Sequence, residues 1–329
     1  MKPFWKEVCF AAVMGLVVPA VLLGLAVKLI DLPEEQELTQ VTERTDQTGP
    51  VGETQPAADP VRIDVLMDGT ITSMELEEYL VGVVLAEMPV DFEEEARKAQ
   101  AVVARTFTLR SREGGKHDNA AVCTDSGCCQ AYLAPEDYLA RGGTQEGIGN
   151  MRAAVEATAG EVLTYEGALI EATYFSCSGG STEDAVAVWG TDVPYLRAVD
   201  SPGEENAAHY TDTVTFTRAE FGKALALDLT GEPESWLGSV TYTAGGGVDT
   251  MKIGGVSFSG TTLRRLLGLR STAFTMTAGE DSITVTTRGY GHRVGMSQYG
   301  ADAMAVSGSG YEEILAHYYQ GTVLTRWAG

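Results

Sequence analysis

The stretch "YLVGVVLAEMPVDF", residues 79–92, holds a carboxylate where its pattern asks for leucine. Leu76, Leu80, Val83 and Val84 recur at the three- and four-residue spacing of one apolar helical face, and the next position on that face is Glu87. Desolvation on such a face disfavours the charged carboxylate. Pro89 stops the helix, which puts Glu87 in its last turn, where unpaired carbonyls disfavour ionisation again. Both effects hold a proton on Glu87 near neutral pH, the state of a general acid in glycosidic cleavage. Ordinary glycosidases add a second carboxylate. Asp91 and Glu93 are near in sequence, but nothing in the spacing turns them toward the same space. A helix end facing water is the competing reading of Glu87.

Other stretches offer ligands and hydrogen-bonding groups. "KHDNAAVCTDSGCCQAY" holds His117, Cys123, Cys128 and Cys129. An imidazole with two or three thiolates suits zinc, although the spacings are not those of zinc fingers. Outside a membrane the same thiols can instead form a disulfide, and both readings stand on cysteine arithmetic. "ATYFSCSGGSTEDAVAVWG" sets Tyr174, Ser176 and Ser178 before two glycines; no base accompanies them, so they read as groups that bind substrate hydroxyls. "RGYGHRVGMSQYGA" adds His292, Ser297, Gln298 and Tyr299 around glycines. Lys98, Arg105 and Arg112 recur every seven residues, either as a solvated helix face or as a cleft wall for a polar polymer.

The elements that must position these residues are helices and hairpins. "VRIDVLMDGTITSMEL" alternates around an Asp-Gly turn and predicts a hairpin. Helices are expected over about 75–88, 93–112 and 150–159, the second dense in small residues. A further hairpin turns at Glu166-Gly167, and "VTYTAGGGVDTMKIGGVSFSG" reads as a Gly-broken strand pair. The strand in "SITVTTRGYGHRVGMSQYGADAMAV" runs through a Gly-rich turn into a helix. Runs of helices and hairpins without regular βαβ alternation predict an α+β fold in a single domain over 61–329.

The net charge of −23, from 23 Lys plus Arg against 46 Asp plus Glu, disfavours a nucleic-acid binder, which must neutralise phosphates. Residues 8–27 form an uncharged apolar run of the length that spans a bilayer. Lys2 and Lys6 precede it and acidic residues follow, which predicts a cytoplasmic N-terminus and an extracytoplasmic remainder. The run is long for a cleaved leader and no A-x-A site follows, so 1–30 is expected to be a single-pass transmembrane anchor in the cell membrane. Residues 31–60 carry eight acidic side chains and one Arg without apolar period, the composition of a disordered acidic linker.

The segments "EEYLVGVVLAEMP", "ARKAQAVVARTFTL", "CCQAY", "ATYFSCSGG", "W...PYLRAVDSP" and "GYGHRVGMSQYGA" occur in that order. Together they resemble the stage II sporulation protein D (SpoIID/LytB domain) family over nearly all of 61–326. The resemblance implies a membrane-anchored lytic transglycosylase that cuts peptidoglycan glycan strands during forespore engulfment. It implies amidase and membrane-scaffold partners that act with it, the amidase having removed the stem peptides. It assigns the catalytic acid to Glu87. It implies zinc on His117, Cys123 and Cys129, since some members bind the metal through a His and two Cys at six-residue steps. Lys98 and Arg105 fall in the family's "KAQAVAART" helix, and Tyr174, Ser176, Ser178 and Gln298 in its glycine-rich cleft motifs, which suggests substrate binding. Some relatives with this domain are non-catalytic amidase enhancers, the alternative that the resemblance carries. Arg293 stands where the usual "GHGVGMSQ" has its second Gly.

Overall fold

Asp68 and Gly69 turn the chain between β1 (Arg62–Met67) and β2 (Thr70–Glu75), both at positive φ as a two-residue hairpin requires. Glu166 and Gly167 do the same between β4 (Glu161–Tyr165) and β5 (Ala168–Leu169). The computed structural model describes residues 60–327. The expected anchor, and the expected linker but for its last residue, lie outside them. Among the described residues no helix is long and apolar enough to cross a membrane.

Helix α1 (Leu76–Glu87) runs straight on from β2 and ends one residue before Met88, whose N–H closes on Val84. It is buried on every side rather than along one stripe: Tyr79, Val81 and Leu85 are as covered as Leu80, Val83 and Val84. That is why so few polar residues interrupt it after its first turn. Helix α2 (Glu94–Gly114) crosses beside it, and Ala96, Ala99, Ala101 and Ala104 are all fully buried, as close helix approach demands. Strand β3 (Val122–Cys123) then adds to β1 in parallel. Helices α3 (Pro135–Ala140) and α4 (Gln145–Ala157) follow. The latter starts five residues before the expected position, because Thr144 caps it by accepting the Gly147 N–H at 3.0 Å.

Two strands far apart in sequence bring the glycine-rich motifs together. β6 (Tyr174–Phe175) pairs in parallel with β15 (Met296–Ser297), matching Met296 to Tyr174 and Ser297 to Phe175. Helix α8 (Gln298–Val306) starts directly after β15, with Ser297 as its N-cap. Helix α9 (Tyr311–Tyr318) and β16 (Val323–Arg326) close the fold; β16 pairs with β4.

Residues 211–288 build a second hydrophobic cluster, around Phe221, Trp236, Met251, Leu263, Phe274 and Val285. Strands β9 (Thr211–Thr217), β13 (Phe274–Ala278) and β14 (Ser282–Arg288) form one sheet there, in the order β13-β14-β9. β10 (Leu237–Tyr242), β11 (Val248–Ile253) and β12 (Val256–Ser259) form another, so the expected strand pair is a three-stranded sheet. The α+β expectation holds, with many small sheets and two separate clusters of buried apolar side chains.

Candidate active site

Glu87, the last residue of α1, lies in a cleft of ≈ 600 Å³ that Tyr174, Ser176, His292 and Gln298 also line. The Ala131 N–H donates to its Oε1 at 2.9 Å, and the Gln298 side-chain amide donates to its Oε2 at 3.3 Å. Burial pushes the Glu87 carboxyl above the ordinary range; those two donors and the neighbouring Tyr174 hydroxyl pull the other way and only partly offset it. Tyr174 donates to Gln130 Oε1 at 3.2 Å, and its own hydroxyl is held well above the usual tyrosine range by burial and then by the Glu87 charge. Ser176 accepts the Tyr299 N–H on its carbonyl at 3.0 Å, which fixes its backbone at the start of α8.

The other carboxylate lining the cleft is Glu171, and Arg110 holds it at 2.8 Å. Asp91 and Glu93 do not line the cleft. Among the described residues the site therefore offers one unpaired acid.

His117, Cys123, Cys128 and Cys129 bring one nitrogen and three sulfurs within 4.8 Å of one another. His117 Nε2 is 3.2 Å from the Cys129 sulfur and 3.7 Å from that of Cys128, and the two sulfurs are 4.0 Å apart. A tetrahedral ion bound at about 2.0–2.3 Å separates its ligands by roughly 3.3–3.8 Å. The cluster fits a four-coordinate metal ion, and Cys128 adds a fourth donor to the three expected from sequence. All four described cysteines are free thiols. Cys177, the remaining one, is buried elsewhere, its thiol 3.1 Å from Glu204 Oε2. Cys128 and Cys129 themselves line the cleft. Two residues on, Ala131 touches Glu87, so the loop that carries the His-Cys cluster and the acid share a wall. Behind it Tyr132 stacks on Tyr79, with ring centroids 5.6 Å apart. Its ring fills the space a Cβ would take on Gly82, and the Leu133 N–H donates to the Gly82 carbonyl at 3.0 Å.

Three expected substrate-binding residues are placed differently. Arg105 is 0 % exposed and makes a two-pronged contact with Glu77, at 3.0 and 2.6 Å, while also donating to the carbonyls of Val155 and Glu161. It ties α1, α2, α4 and β4 together and reaches no cleft. Lys98 is paired with Glu94 and Glu95 at 2.7 and 2.8 Å and does not line the cleft. Ser178 is fully buried; its hydroxyl accepts the Gly180 N–H at 3.0 Å, and its own N–H donates to Glu204 at 2.7 Å. The basic stripe is neither a solvated face nor a cleft wall. It is covered at its middle and open at Arg112, which lies over Trp327 at 4.9 Å.

Arg293 takes the left-handed backbone conformation, φ 67°, that the usual glycine would adopt freely. Its guanidinium meets Glu183 at 3.0 Å and donates to the carbonyls of Ser178, Ser181 and Gly245, each at 2.7 Å. That one side chain satisfies four acceptor atoms around the turn, which offsets the strained backbone. His292, just before, accepts the Val294 N–H on Nδ1 at 3.1 Å; burial, then the Arg264 charge, lowers it to about 4, so it is neutral at physiological pH.

A family model for the stage II sporulation protein matches residues 68–165. The chain is 41 % identical to stage II sporulation protein D of Bacillus subtilis over 82 % of its own length and 80 % of that protein's. It is 40 % identical to the Bacillus amyloliquefaciens protein of the same name, over 77 % of this chain and 74 % of the other. An amidase enhancer of Bacillus subtilis is 31 % identical over 75 % of this chain and 40 % of its own. The likeness thus runs to proteins of two descriptions, a stage II sporulation protein and an amidase enhancer. The chain belongs to the stage II sporulation protein D family.

Proposed function

We propose that this chain is a lytic transglycosylase that cleaves peptide-free peptidoglycan strands between N-acetylmuramic acid and N-acetylglucosamine. The observation that carries the reading is the position of Glu87: in the cleft, with its carboxyl raised by burial, held by two donors, and without a free carboxylate partner. Glu87 gives its proton to the glycosidic oxygen as the bond to the anomeric carbon breaks. The 6-hydroxyl of the same muramic acid then bonds to that carbon, and its proton returns to Glu87. One bond to the anomeric carbon replaces another and no water is consumed, so a single residue serves as acid and then base. A hydrolase would need a second carboxylate to activate water. Gln298 and the Ala131 N–H orient the Glu87 carboxyl, and Tyr174 fills the space beside it.

The metal in this reading is zinc, held by His117, Cys123, Cys128 and Cys129. A closed four-ligand site supplies a cross-link rather than an open coordination position. Here that cross-link stiffens the 117–131 loop, which carries the Ala131 donor. The proposal includes a sporulation role in forespore engulfment, an anchor within 1–30 that holds the domain on the outer side of the cell membrane, and amidase and scaffold partners working on the same strands. The test is release of soluble glycan fragments from peptide-free strands by the purified full chain, with Glu87→Gln expected to release none.

The likeness to an amidase enhancer supports a second reading, a wall-binding protein that stimulates an amidase. It requires glycan binding in the same cleft and no fragments from the purified chain.

A further inference from the structure

Trp189 is 44 % exposed and Tyr290 is 41 % exposed, and both rings line the same cleft as Glu87. Large aromatic side chains left this open carry apolar area that water disfavours, and open aromatics mark binding surfaces. The described tryptophans differ in how they are used. Trp236 is buried, donates its indole N–H to the Thr230 carbonyl at 2.9 Å, and is covered by Arg218 at 4.8 Å. Trp327 is covered by Arg112. Trp189 has neither a guanidinium over its ring nor, among the described residues, an acceptor for its indole N–H.

Both cleft rings are held by their surroundings. Trp189 ends the short helix Ala185–Trp189, which Gly190 stops at φ 75°. Its ring meets that of His292 at 5.3 Å, and His292 rests on Phe175 at 5.5 Å. Tyr290 is fixed by paired backbone hydrogen bonds with Cys177, at 3.1 and 2.7 Å; Arg270 lies over its ring at 5.0 Å and His209 meets it edge to face at 5.5 Å, but unlike Trp236 it stays open to the cleft. Pre-set aromatic rings bind without an ordering cost.

We infer that Trp189 and Tyr290 form a sugar-stacking platform of the cleft, taking the apolar C–H faces of N-acetylhexosamine rings in a β-1,4-linked glycan. The indole N–H of Trp189 donates to a hydroxyl or acetamido oxygen of that sugar. The inference rests on the reading of the cleft as a glycan site, and not on cleavage.

The test uses the full chain in detergent, carrying Glu87→Gln so that the probe is not consumed, and tri-N-acetylchitotriose as the probe. A saturable change in tryptophan emission is expected, and it should vanish in Trp189→Phe. Titration calorimetry should show affinity roughly tenfold or more weaker in Trp189→Leu and in Tyr290→Leu, the size typical of an aromatic anchor. Thermal unfolding of each variant separates lost binding from lost folding. With Glu87 restored, Trp189→Leu should raise KM with kcat little changed, the signature of uniform binding. Affinity within twofold of the parent in both folded variants, or an emission change that survives Trp189→Phe, overturns the platform. If the platform variants weaken binding while the unsubstituted chain yields no anhydro product, the platform stands and the cleavage reading falls. If that product forms with KM unchanged in both variants, cleavage stands and the platform falls.

Discussion

The N–H of Ala131 donates to Oε1 of Glu87 at 2.9 Å, and Ala131 follows two residues after Cys129 of the His-Cys cluster. The acid is therefore oriented by the loop that carries the four His and Cys side chains.

Metal removal should loosen that donor. Chelation, or Cys129→Ser, is expected to lower the thermal midpoint and to slow glycan cleavage by about tenfold or more. A misoriented group costs rate steeply even when it remains present. Differential scanning calorimetry and fragment release, measured on the same preparation with and without added zinc, check both halves.

The raised Glu87 carboxyl has a stability consequence with a definite sign. Below the ordinary glutamate range, near pH 4.5, the group is protonated folded or unfolded and costs nothing. As pH rises toward its elevated folded value, the unfolded chain loses the proton and the folded chain keeps it, so wild-type stability falls through that window. Glu87→Gln removes the effect. The melting temperature of the variant minus that of wild type is expected to grow as pH rises above 4.5 and to level off once the folded carboxyl has also lost its proton. A difference that shrinks over this range would mean the carboxyl is not raised.

Arg105 is a structural residue on this account, fully buried against Glu77 and two backbone carbonyls. Arg105→Lys cannot reproduce the fork. It is expected to cost ~3 kcal/mol in denaturant unfolding, since orphaned buried acceptors cost ~1–3 kcal/mol each. KM measured below the unfolding transition should not move. Lys98→Ala, which loses a part-buried helix pair with Glu94 and Glu95, should cost about 1 kcal/mol.

Arg293 and Glu183 are 2 % and 1 % exposed, so breaking their pair leaves a buried charge uncompensated. Glu183→Ala is expected to destabilise by about 3–5 kcal/mol at neutral pH. Arg293→Gly relieves the left-handed backbone but orphans Glu183, so equilibrium unfolding should find it less stable than wild type too.

The parts legible in the sequence were those set by local chemistry. The Asp68-Gly69 and Glu166-Gly167 turns, the stop at Pro89 and the acid on α1 follow from neighbours a few residues apart. The His-Cys cluster is legible because its four candidate donors lie within 13 residues, although spacing alone leaves open whether Cys128 is among the ligands. Side-chain direction was less legible. Lys98, Arg105 and Arg112 share a helix face by spacing, but α4 and β4 cover only the middle of it. Ser178 looked like a substrate ligand until Glu204, 26 residues on, claimed its N–H. Ala131 acts through its backbone, which residue type does not announce. Trp189 ends a short helix and Tyr290, far along the chain, bridges to Cys177, and only tertiary packing brings them to one cleft.

The central claim is that Glu87 cleaves glycan without water, and the products report it directly. Peptide-free strands incubated with the purified full chain should give fragments ending in 1,6-anhydro-N-acetylmuramic acid by mass spectrometry, and none with Glu87→Gln. Fragments with ordinary reducing ends, or undiminished cleavage by Glu87→Gln, would contradict the account.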